Sequence, residues 1–310
     1  MAGFDTPVPA TFLHDVLDGL SRPQKAIPGK YLWDEAGSTL FDRICASSGY
    51  YPTRCEAALL RREAVTIARL VGSAATLVEF GSGASHKTRI LLDALPLPRR
   101  YIAIDISGAF LAGACARIDA DYPGLEVVPL CADYSRAVRL PPQPEAGPAL
   151  GFWPGLSMGN LAAEGLVGCL ARAHESLAPG WFLLTADGTR EAAALLRAYA
   201  DPDGLMAAFH LNLLVRLARE LDTDLDPAAF RHEARVLDRP FRVEAHLVAK
   251  RAAEFRLADR CISFAAGESI HTDTSFKYSP EELAALASHS GWHPVQAWTD
   301  NAVCLQLLRS

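Results

Sequence analysis

Residues 77–88, LVEFGSGASHKT, decide the fold because they place an apolar strand before a glycine turn and the start of a helix. A strand, a glycine loop and a helix in this order are typical of α/β nucleotide-binding folds, in which the loop approaches the ligand through its backbone. The residues of the loop therefore indicate which nucleotide it holds.

The loop lacks one glycine that two phosphate-binding fingerprints require. A P-loop reads G-x-x-x-x-G-K-[ST], and residues 81–88 match it except at His86, where the second glycine belongs. The dinucleotide fingerprint G-x-G-x-x-G fails at the same residue. Both mismatches argue against a ligand whose phosphates lie in the loop.

Acidic residues at strand ends instead favour an adenosine ligand without a pyrophosphate. Glu79 ends the first strand, Gly81 allows close backbone approach, and Asp105 lies where a ribose-binding acid is expected. Asp133 and Tyr134 follow the third strand, where a carboxylate can accept from an adenine amino group and a ring can lie against the base. This combination predicts S-adenosylmethionine as the cofactor.

Short apolar runs alternate with helical stretches in the middle of the chain. The helical pattern EAALLRREAVTIARL precedes five strand-like runs, TLVEF, YIAIDIS, LEVVPLCAD, ALGFWPG and WFLLTAD. Such alternation predicts a doubly wound α/β sheet with helices on both faces. After Asp187 the pattern breaks, and residues 190–235 predict helix while residues 240–265 predict antiparallel strands. Ser279 then begins a last helix, which a closing pair of strands follows.

The composition is that of a globular protein whose cysteines are in the reduced thiol form. Half of the 310 residues are hydrophobic, the formal net charge is −6, and the seven cysteines form no CxxC pair or metal-spaced cluster. No basic run suits nucleic acid, and no apolar run approaches the length of a membrane span. We therefore expect no metal, no nucleic-acid or membrane partner, and a cytoplasmic monomer that acts on a small molecule.

Five motifs along the chain are more specific than the glycine loop alone. They are YYPTR at 50–54, EFGSGASHKT at 79–88, FWPGLSMGN at 152–160, RAYADPDG at 197–204 and FAAGESIHTDTSFKY at 264–278. Together they resemble the histidine Nα-methyltransferases of ergothioneine biosynthesis, which are related to fungal enzymes that methylate tryptophan-derived amines. The resemblance implies an enzyme that transfers three methyl groups from S-adenosylmethionine to the α-amino group of histidine, giving hercynine. It also implies that the enzyme needs no metal.

The same resemblance implies a division into two domains. A class I methyltransferase domain with a Rossmann-like sheet would comprise residues 55–189 and 280–310. A second, α+β substrate-binding domain would combine the N-terminal segment 1–54 with an insertion at 190–279. The break in pattern after Asp187 agrees with this division.

Cofactor contacts are implied by the family motifs. The positions that resemble the residues holding S-adenosylmethionine are Gly81, Lys87, Asp105, Asp133 and Tyr134. Tyr134 replaces a phenylalanine that is common in the family, and this change keeps an aromatic ring at the adenine position.

Substrate contacts are implied in the same way. Asn160 and Tyr199 resemble the residues that hold the carboxylate and the amine of the amino acid. Tyr50, Asp273 and Ser275 fall where the family contacts the imidazole ring. We expect Tyr50 and Asn160 also to arrange the loss of a proton from the amine, through hydrogen bonds or water.

Besides Tyr134, three positions depart from the family pattern. Trp33 stands where the family often has tyrosine, and its indole face can attract a methylated ammonium group. Asp273 replaces a glutamate and Ala245 replaces a methionine, and both changes enlarge the pocket. Histidine is therefore the expected substrate, while tryptophan, tyrosine or another aromatic amine remains an alternative. A weakly active S-adenosylmethionine-binding module is a further alternative.

Overall fold

The computed structural model describes residues 8–73, 76–83, 85–142, 147–200, 203–300 and 302–310. They form two compact units. The sheet unit comprises Tyr50–Glu191 and Ser275–Ser310, and the insertion unit comprises the residues up to Gly49 together with Ala192–Thr274. Parts of two family motifs lie outside the described residues, namely Ala84, Asp201 and Pro202.

Helices fill the described chain before Thr76, and strands mostly alternate with helices between Thr76 and Asp187. The strands are β1 (Thr76–Phe80), β2 (Arg100–Asp105), β3 (Glu126–Cys131), β4 (Ala149–Trp153), β5 (Gly180–Asp187), β6 (Phe230–Asp238), β7 (Phe241–Ala249), β8 (Ala253–Leu257), β9 (Arg260–Phe264), β10 (Ser269–Phe276), β11 (His293–Thr299) and β12 (Val303–Arg309). The α-helices are α1 (Val8–Leu20), α2 (Glu35–Ala46), α3 (Tyr51–Val71), α4 (Thr88–Ala94), α5 (Gly108–Asp121), α6 (Ala163–Leu177), α7 (Ala192–Tyr199), α8 (Leu205–Glu220) and α9 (Pro280–Ser288). Short 3₁₀ helices lie at Gly29–Leu32, Ser157–Asn160 and Pro227–Ala229.

A seven-stranded sheet organises the sheet unit, in the order β11-β12-β5-β4-β1-β2-β3. Strands β1 to β5 are parallel, and β12 runs antiparallel between β11 and β5. Strands β1 and β4 are buried along their whole length, as expected of central strands with both faces covered. Because the chain order reverses between β1 and β4, a ligand crevice is expected at the carboxyl ends of these two strands.

Alternate residues of the central strands enter two different hydrophobic cores. Leu77 packs with helices α3, α4 and α5, whereas the next residue, Val78, packs with α6 and α9. The predicted α/β sheet with helices on both faces is confirmed. The antiparallel β11–β12 pair at one edge makes it a mixed sheet of the class I methyltransferase type.

The closing segment folds as its sequence predicts. The Ser279 hydroxyl accepts a hydrogen bond from Glu282 N, and the Glu282 carboxylate accepts one from Ser279 N. This reciprocal capping satisfies two backbone donors that the start of α9 would otherwise leave unpaired. Strands β11 and β12 then pair antiparallel, as expected.

Small antiparallel sheets and helices α1, α2, α7 and α8 build the insertion unit. Strands β10, β7 and β6 form a three-stranded sheet, and β8 pairs with β9. The N-terminal segment joins this sheet, since Ile27 N donates to His271 O at 2.9 Å and His271 N donates to Lys25 O at 2.8 Å. Backbone hydrogen bonds thus join the N-terminal segment to β10, although the two are far apart in the sequence.

One part of the insertion differs from its predicted structure. Residues 190–235 are predicted to be helical, but α8 ends at Glu220 and Phe230–Asp238 forms strand β6. Asp226 caps a 3₁₀ turn at Pro227, and the chain that follows pairs along its whole length with β7. The prediction was wrong here because this strand depends on its partner rather than on an apolar run of its own.

Two general features of the described residues bear on function. Within the ranges given above, no helix is both long and apolar enough to cross a membrane. In the same ranges, no three or more His, Cys, Asp or Glu side chains are grouped so as to hold a metal ion.

Candidate cofactor and substrate site

The glycine loop turns tightly over the carboxyl end of β2. Gly81 N and Ser82 N both donate to Ile104 O, at 2.9 and 3.1 Å. Gly81 and Gly83 have φ angles of +78° and +50°, a left-handed conformation that glycine adopts without strain. The ring of Tyr134 lies 3.3 Å from the position that a Cβ on Gly81 would take, so the ring packs closely against this glycine.

Asp105 connects this loop to the start of α5. Its Oδ2 accepts a hydrogen bond of 2.9 Å from Gly83 N, and its Oδ1 accepts one of 3.0 Å from Ser107 N. A carboxylate has about four acceptor positions, so both oxygens of Asp105 retain capacity for ribose hydroxyl groups. The expected cofactor acid therefore ends β2 and is hydrogen-bonded directly to the glycine loop.

Asp133 and Tyr134 lie just beyond β3. Asp133 Oδ1 accepts from Ser135 N at 2.9 Å and from Ser135 Oγ at 2.5 Å, which is the pattern of a turn-capping aspartate. Tyr134 makes edge contacts with the rings of Phe80 and Trp153, at centroid distances of 6.4 and 5.3 Å. An aromatic wall thus stands beside the glycine loop.

Glu79 lies beneath the loop and is 1% exposed. Its carboxyl group accepts from Thr88 Oγ1 at 2.6 Å and from the hydroxyl of Tyr101. Burial raises the pKa of Glu79 to about 7, although both hydrogen bonds oppose the shift. Glu79 therefore anchors the start of α4 to β1, a role that the sequence did not indicate.

Lys87 is held by a buried acid from helix α3. Its Nζ lies 2.6 Å from Oε2 of Glu56, whose side chain is fully buried. The other oxygen of Glu56 accepts from Gly155 N at 2.7 Å, in the loop after β4. Sequence reasoning missed Glu56, although an acid in the apolar stripe with Leu59, Leu60 and Ala64 was a signal for it.

Asn160 and Ser275 approach the same turn of the sheet unit. Asn160 ends the 3₁₀ helix after β4 and is exposed. A Cβ on the preceding Gly159 would lie 2.7 Å from Phe276 O and 3.5 Å from Ser275 Oγ, so only glycine fits. The chain carrying Ser275 thus packs directly against the turn carrying Asn160. Tyr50, at the N-cap of α3, is 7% exposed in the same unit.

A buried ion pair lies behind Ser275. Lys277 Nζ contacts Asp187 Oδ2 at 2.8 Å and Ser275 Oγ at 2.9 Å. Asp187 also accepts from the hydroxyl of Tyr51 at 2.7 Å and from Thr189 N at 2.9 Å. Sequence reasoning did not single out Lys277 or Asp187, since Asp187 ends a strand, Lys277 follows one, and each resembles an ordinary surface charge.

The remaining predicted substrate residues belong to the insertion unit. Trp33 packs edge-on against Phe41 and Phe209, at centroid distances of 4.9 and 5.3 Å, and is half-buried. Tyr199 is the last residue of α7, which packs on β6 and β7. Trp33 therefore has a packing role in addition to any contact with a methylated amine.

Asp273 and Ala245 lie on neighbouring strands of this unit. A Cβ on Gly29 would lie 3.0 Å from Asp273 Oδ1, so the N-terminal segment passes directly beside that carboxylate. Ala245 O accepts from Thr272 Oγ1 at 3.2 Å, and Ala245 itself is 9% exposed. The structure thus places two of the residues that depart from the family pattern, Asp273 and Ala245, near each other.

Comparison with known proteins gives the family. The family of histidine-specific, S-adenosylmethionine-dependent methyltransferases matches residues 12–309. Two curated relatives are named histidine N-alpha-methyltransferase. The one from Mycolicibacterium smegmatis is 40% identical over 294 residues, covering 93% of this chain and 91% of the relative. The one from Mycobacterium tuberculosis is 37% identical over the same length, with the same coverage.

A more distant protein agrees in fold. A solved S-adenosylmethionine-dependent methyltransferase from Clostridium acetobutylicum is 12% identical, with a TM-score of 0.50, and the match covers 88% of this chain and 96% of that one. At this identity the likeness concerns the fold alone. The glycine loop, the spare acceptor positions of Asp105 and the aromatic wall fit S-adenosylmethionine, which is the methyl donor. Together with the match along nearly the whole chain, these findings show that the protein belongs to the family of histidine-specific, S-adenosylmethionine-dependent methyltransferases.

Proposed function

We propose that this chain methylates the α-amino group of L-histidine three times, giving hercynine for ergothioneine biosynthesis. The observation that carries the proposal is 40% identity, along 93% of the chain, with a protein named histidine N-alpha-methyltransferase. A Neurospora crassa protein named ergothioneine biosynthesis protein 1 is 27% identical over 303 residues, and the match covers 91% of this chain and 33% of that protein.

The sheet unit supplies the proposed cofactor residues. S-adenosylmethionine provides, when bound, a methyl group on a positively charged sulfur. Gly81 permits close backbone approach, Asp105 accepts from the ribose hydroxyls, and Tyr134 lies against the adenine. Lys87 and Asp133 complete the proposed contacts. Because the reaction is an in-line displacement, most of the rate acceleration comes from holding donor and amine in the right alignment.

Asn160 and Tyr199 are proposed to hold the amine and the carboxylate that every α-amino acid shares. Each methyl transfer requires an amine with a free lone pair, so the substrate must lose a proton before each step. We propose that Tyr50 and Asn160 assist this loss of a proton from the amine, through hydrogen bonds or water, and that no dedicated histidine base is involved. Trp33 would then stabilise the methylated cation with its ring face.

The imidazole ring is proposed to contact Tyr50, Asp273 and Ser275. A polar pocket of this kind discriminates strongly, because a substrate without matching polar atoms leaves buried groups unpaired. In the structure, Asp273 lies beside the backbone of Gly29, and Ser275 is bonded by Lys277. Both polar side chains are therefore constrained before any substrate binds.

A second candidate function is α-N-methylation of tryptophan or tyrosine. The observation that favours it is the small, nearly buried side chain of Ala245, where the family has methionine. The shorter carboxylate of Asp273 acts in the same direction, because it reaches less far toward an imidazole N–H. Both substrates would use the same cofactor and the same fold.

Product analysis separates the two candidates. Purified protein is incubated with S-adenosylmethionine and an equimolar mixture of amino acids, and the methylated products are identified by mass spectrometry. We expect trimethylated histidine as the main product. Methylated tryptophan or tyrosine without methylated histidine would refute histidine as the substrate and support the second candidate function. Cofactor binding without any methylated amino acid would refute both.

A further inference from the structure

A buried lysine lies behind one of the proposed substrate residues. The side chains of Lys277 and Asp187 are 0% and 2% exposed, and their ion pair measures 2.8 Å. Lys277 Nζ also lies 2.9 Å from Ser275 Oγ. The three groups form a chain that begins at the end of β5 and ends at the hydroxyl proposed to contact the substrate.

Stability alone is a poor explanation for this ion pair. Removing two charges from water is unfavourable, and apolar residues of similar volume often stabilise a protein as well or better. Asp187 is well supported, since Tyr51 and Thr189 N also donate to it. Asp187 therefore fixes the orientation of the Lys277 ammonium group, at a place where an apolar side chain would suffice for packing.

The contact between Lys277 and Ser275 has a defined polarity. An ammonium group only donates hydrogen bonds, so Ser275 Oγ must be the acceptor in this contact. Accepting from a cation polarises the hydroxyl and strengthens its own O–H as a donor. Ser275 therefore presents a hydrogen toward its next partner more readily than an isolated serine would.

We infer that Lys277 is a positioning residue that makes Ser275 a hydrogen-bond donor to the substrate side chain. This position then recognises a ring nitrogen that carries a lone pair. The inference rests on the proposed function, in which Ser275 contacts the imidazole. Neutral imidazole has such a nitrogen, whereas indole offers only an N–H and protonated imidazole offers two. The network thus selects neutral histidine against tryptophan.

A double-mutant cycle tests the inference. Steady-state kinetics with L-histidine are compared for the wild type, Lys277→Met, Ser275→Ala and the double variant. Each single substitution should lower kcat/KM by roughly 10- to 100-fold, mainly by raising KM, through loss of one charge-assisted hydrogen bond. The double variant should be no slower than Ser275→Ala, because Lys277 acts through the hydroxyl that this variant lacks.

Two further variants separate positioning from folding. Lys277→Met leaves Asp187 buried without its cation, so Lys277→Met combined with Asp187→Asn restores neutrality and should show the same rise in KM. Lys25→Met is the matched control, because it also removes a lysine from an ion pair, with Glu268 in the insertion unit, and should leave KM unchanged. Affinity for S-adenosylhomocysteine, measured by calorimetry, shows whether each variant is folded.

The outcomes are distinct. Additive losses in the double variant would overturn the inference, as would a Lys277→Met effect confined to kcat. A neutral Lys277→Met/Asp187→Asn variant with wild-type KM would also overturn it. Failure of the proposed function would appear in the wild type, which would bind S-adenosylhomocysteine but leave histidine unmethylated. Failure of the lysine inference alone leaves wild-type turnover intact.

Discussion

Lys87 and Glu56 form an ion pair of 2.6 Å in which the carboxylate is fully buried. Because Glu56 also accepts from Gly155 N, one side chain of α3 holds both the glycine loop and the loop after β4. These loops follow β1 and β4, the two strands between which the chain order reverses. Glu56 of helix α3 therefore fixes the position of the Lys87 ammonium group, which is a proposed cofactor contact.

Replacing Glu56 should weaken cofactor binding although Glu56 itself is not a proposed contact. Glu56→Gln keeps the shape but removes the charge that orients Lys87. We expect the Kd for S-adenosylhomocysteine to rise about 10-fold, as for loss of one hydrogen bond to a charged group. Calorimetry measures this directly. The control is Glu63→Gln on the same helix, where Glu63 pairs with the exposed Arg62. Equal affinities for the two variants would show that Lys87 is held without Glu56.

Asp105 should contribute directly to cofactor binding. Asp105→Asn loses an ionic acceptor for the ribose and weakens the contacts from Gly83 N and Ser107 N. We expect binding of S-adenosylhomocysteine to weaken by roughly 1–3 kcal/mol in calorimetry. Asp119→Asn on the exposed face of α5 changes the charge equally and serves as the control. Unchanged affinity would remove Asp105 from the cofactor site.

The sequence predicted those strands that carry their own apolar signal. Strands β1 to β5 are short hydrophobic runs, so local pattern sufficed for them. Strand β6, FRHEARVLD, mixes charged and apolar residues, and its strand conformation depends on pairing with β7. Information of that kind lies in a partner segment and not in the residues themselves.

The same limit applies to the site. The glycine loop and Asp105 belong to one local motif, so the sequence indicated both. Glu56 bonds a residue 99 positions away, and Lys277 bonds one 90 positions away. Spacings of this length form no motif, so only the fold shows that these charges meet. Of these two residues, only Glu56 had a signal in the sequence, namely an acidic residue at a position where the helical pattern predicts an apolar one.

Glu79 should make the folded state less stable as the pH rises. Its folded-state pKa of about 7 exceeds the ordinary value of 4.5, so the folded protein keeps a proton that the unfolded chain loses between these values. This contribution is full below pH 4.5 and is lost as the pH rises to about 7. Glu79→Gln cannot titrate. Relative to wild type, its free energy of unfolding should rise by about 2–3 kcal/mol between pH 5 and pH 8. Urea denaturation at both pH values provides the test, and parallel changes in the two proteins would contradict it.

His210 should have the opposite pH dependence. It is 3% exposed, its Nδ1 lies 3.0 Å from Thr272 Oγ1, and its ring stacks on His232. Burial, together with the charges of His232 and His271, holds the pKa of His210 well below its usual 6.5. The unfolded chain therefore binds a proton first, and stability present above pH 6.5 is lost as the pH falls.

His210→Gln isolates this contribution. The variant should lose about 1 kcal/mol at pH 8, where the hydrogen bond to Thr272 is weakened. Its further loss of stability between pH 7 and pH 5 should be smaller than in the wild type, because glutamine does not titrate. Denaturation of both proteins across this range decides the matter. An acid-induced loss as steep as in the wild type would place the sensitive group elsewhere.

Ala245 should set the size of the side chain that the site accepts. Its side chain is small and nearly buried on β7, so Ala245→Val and Ala245→Met fill space in order of their volume. If histidine is the substrate, the ratio of kcat/KM for histidine to that for tryptophan should rise along this series, because overpacking penalises only the ligand that fills the space. Asp273→Glu should raise the ratio further, since a longer carboxylate approaches an imidazole N–H more closely. Competition assays with both amino acids measure the ratio. A wild type that prefers tryptophan, with Ala245→Met reversing the order, would refute histidine as the substrate and leave the fold and the cofactor unaffected.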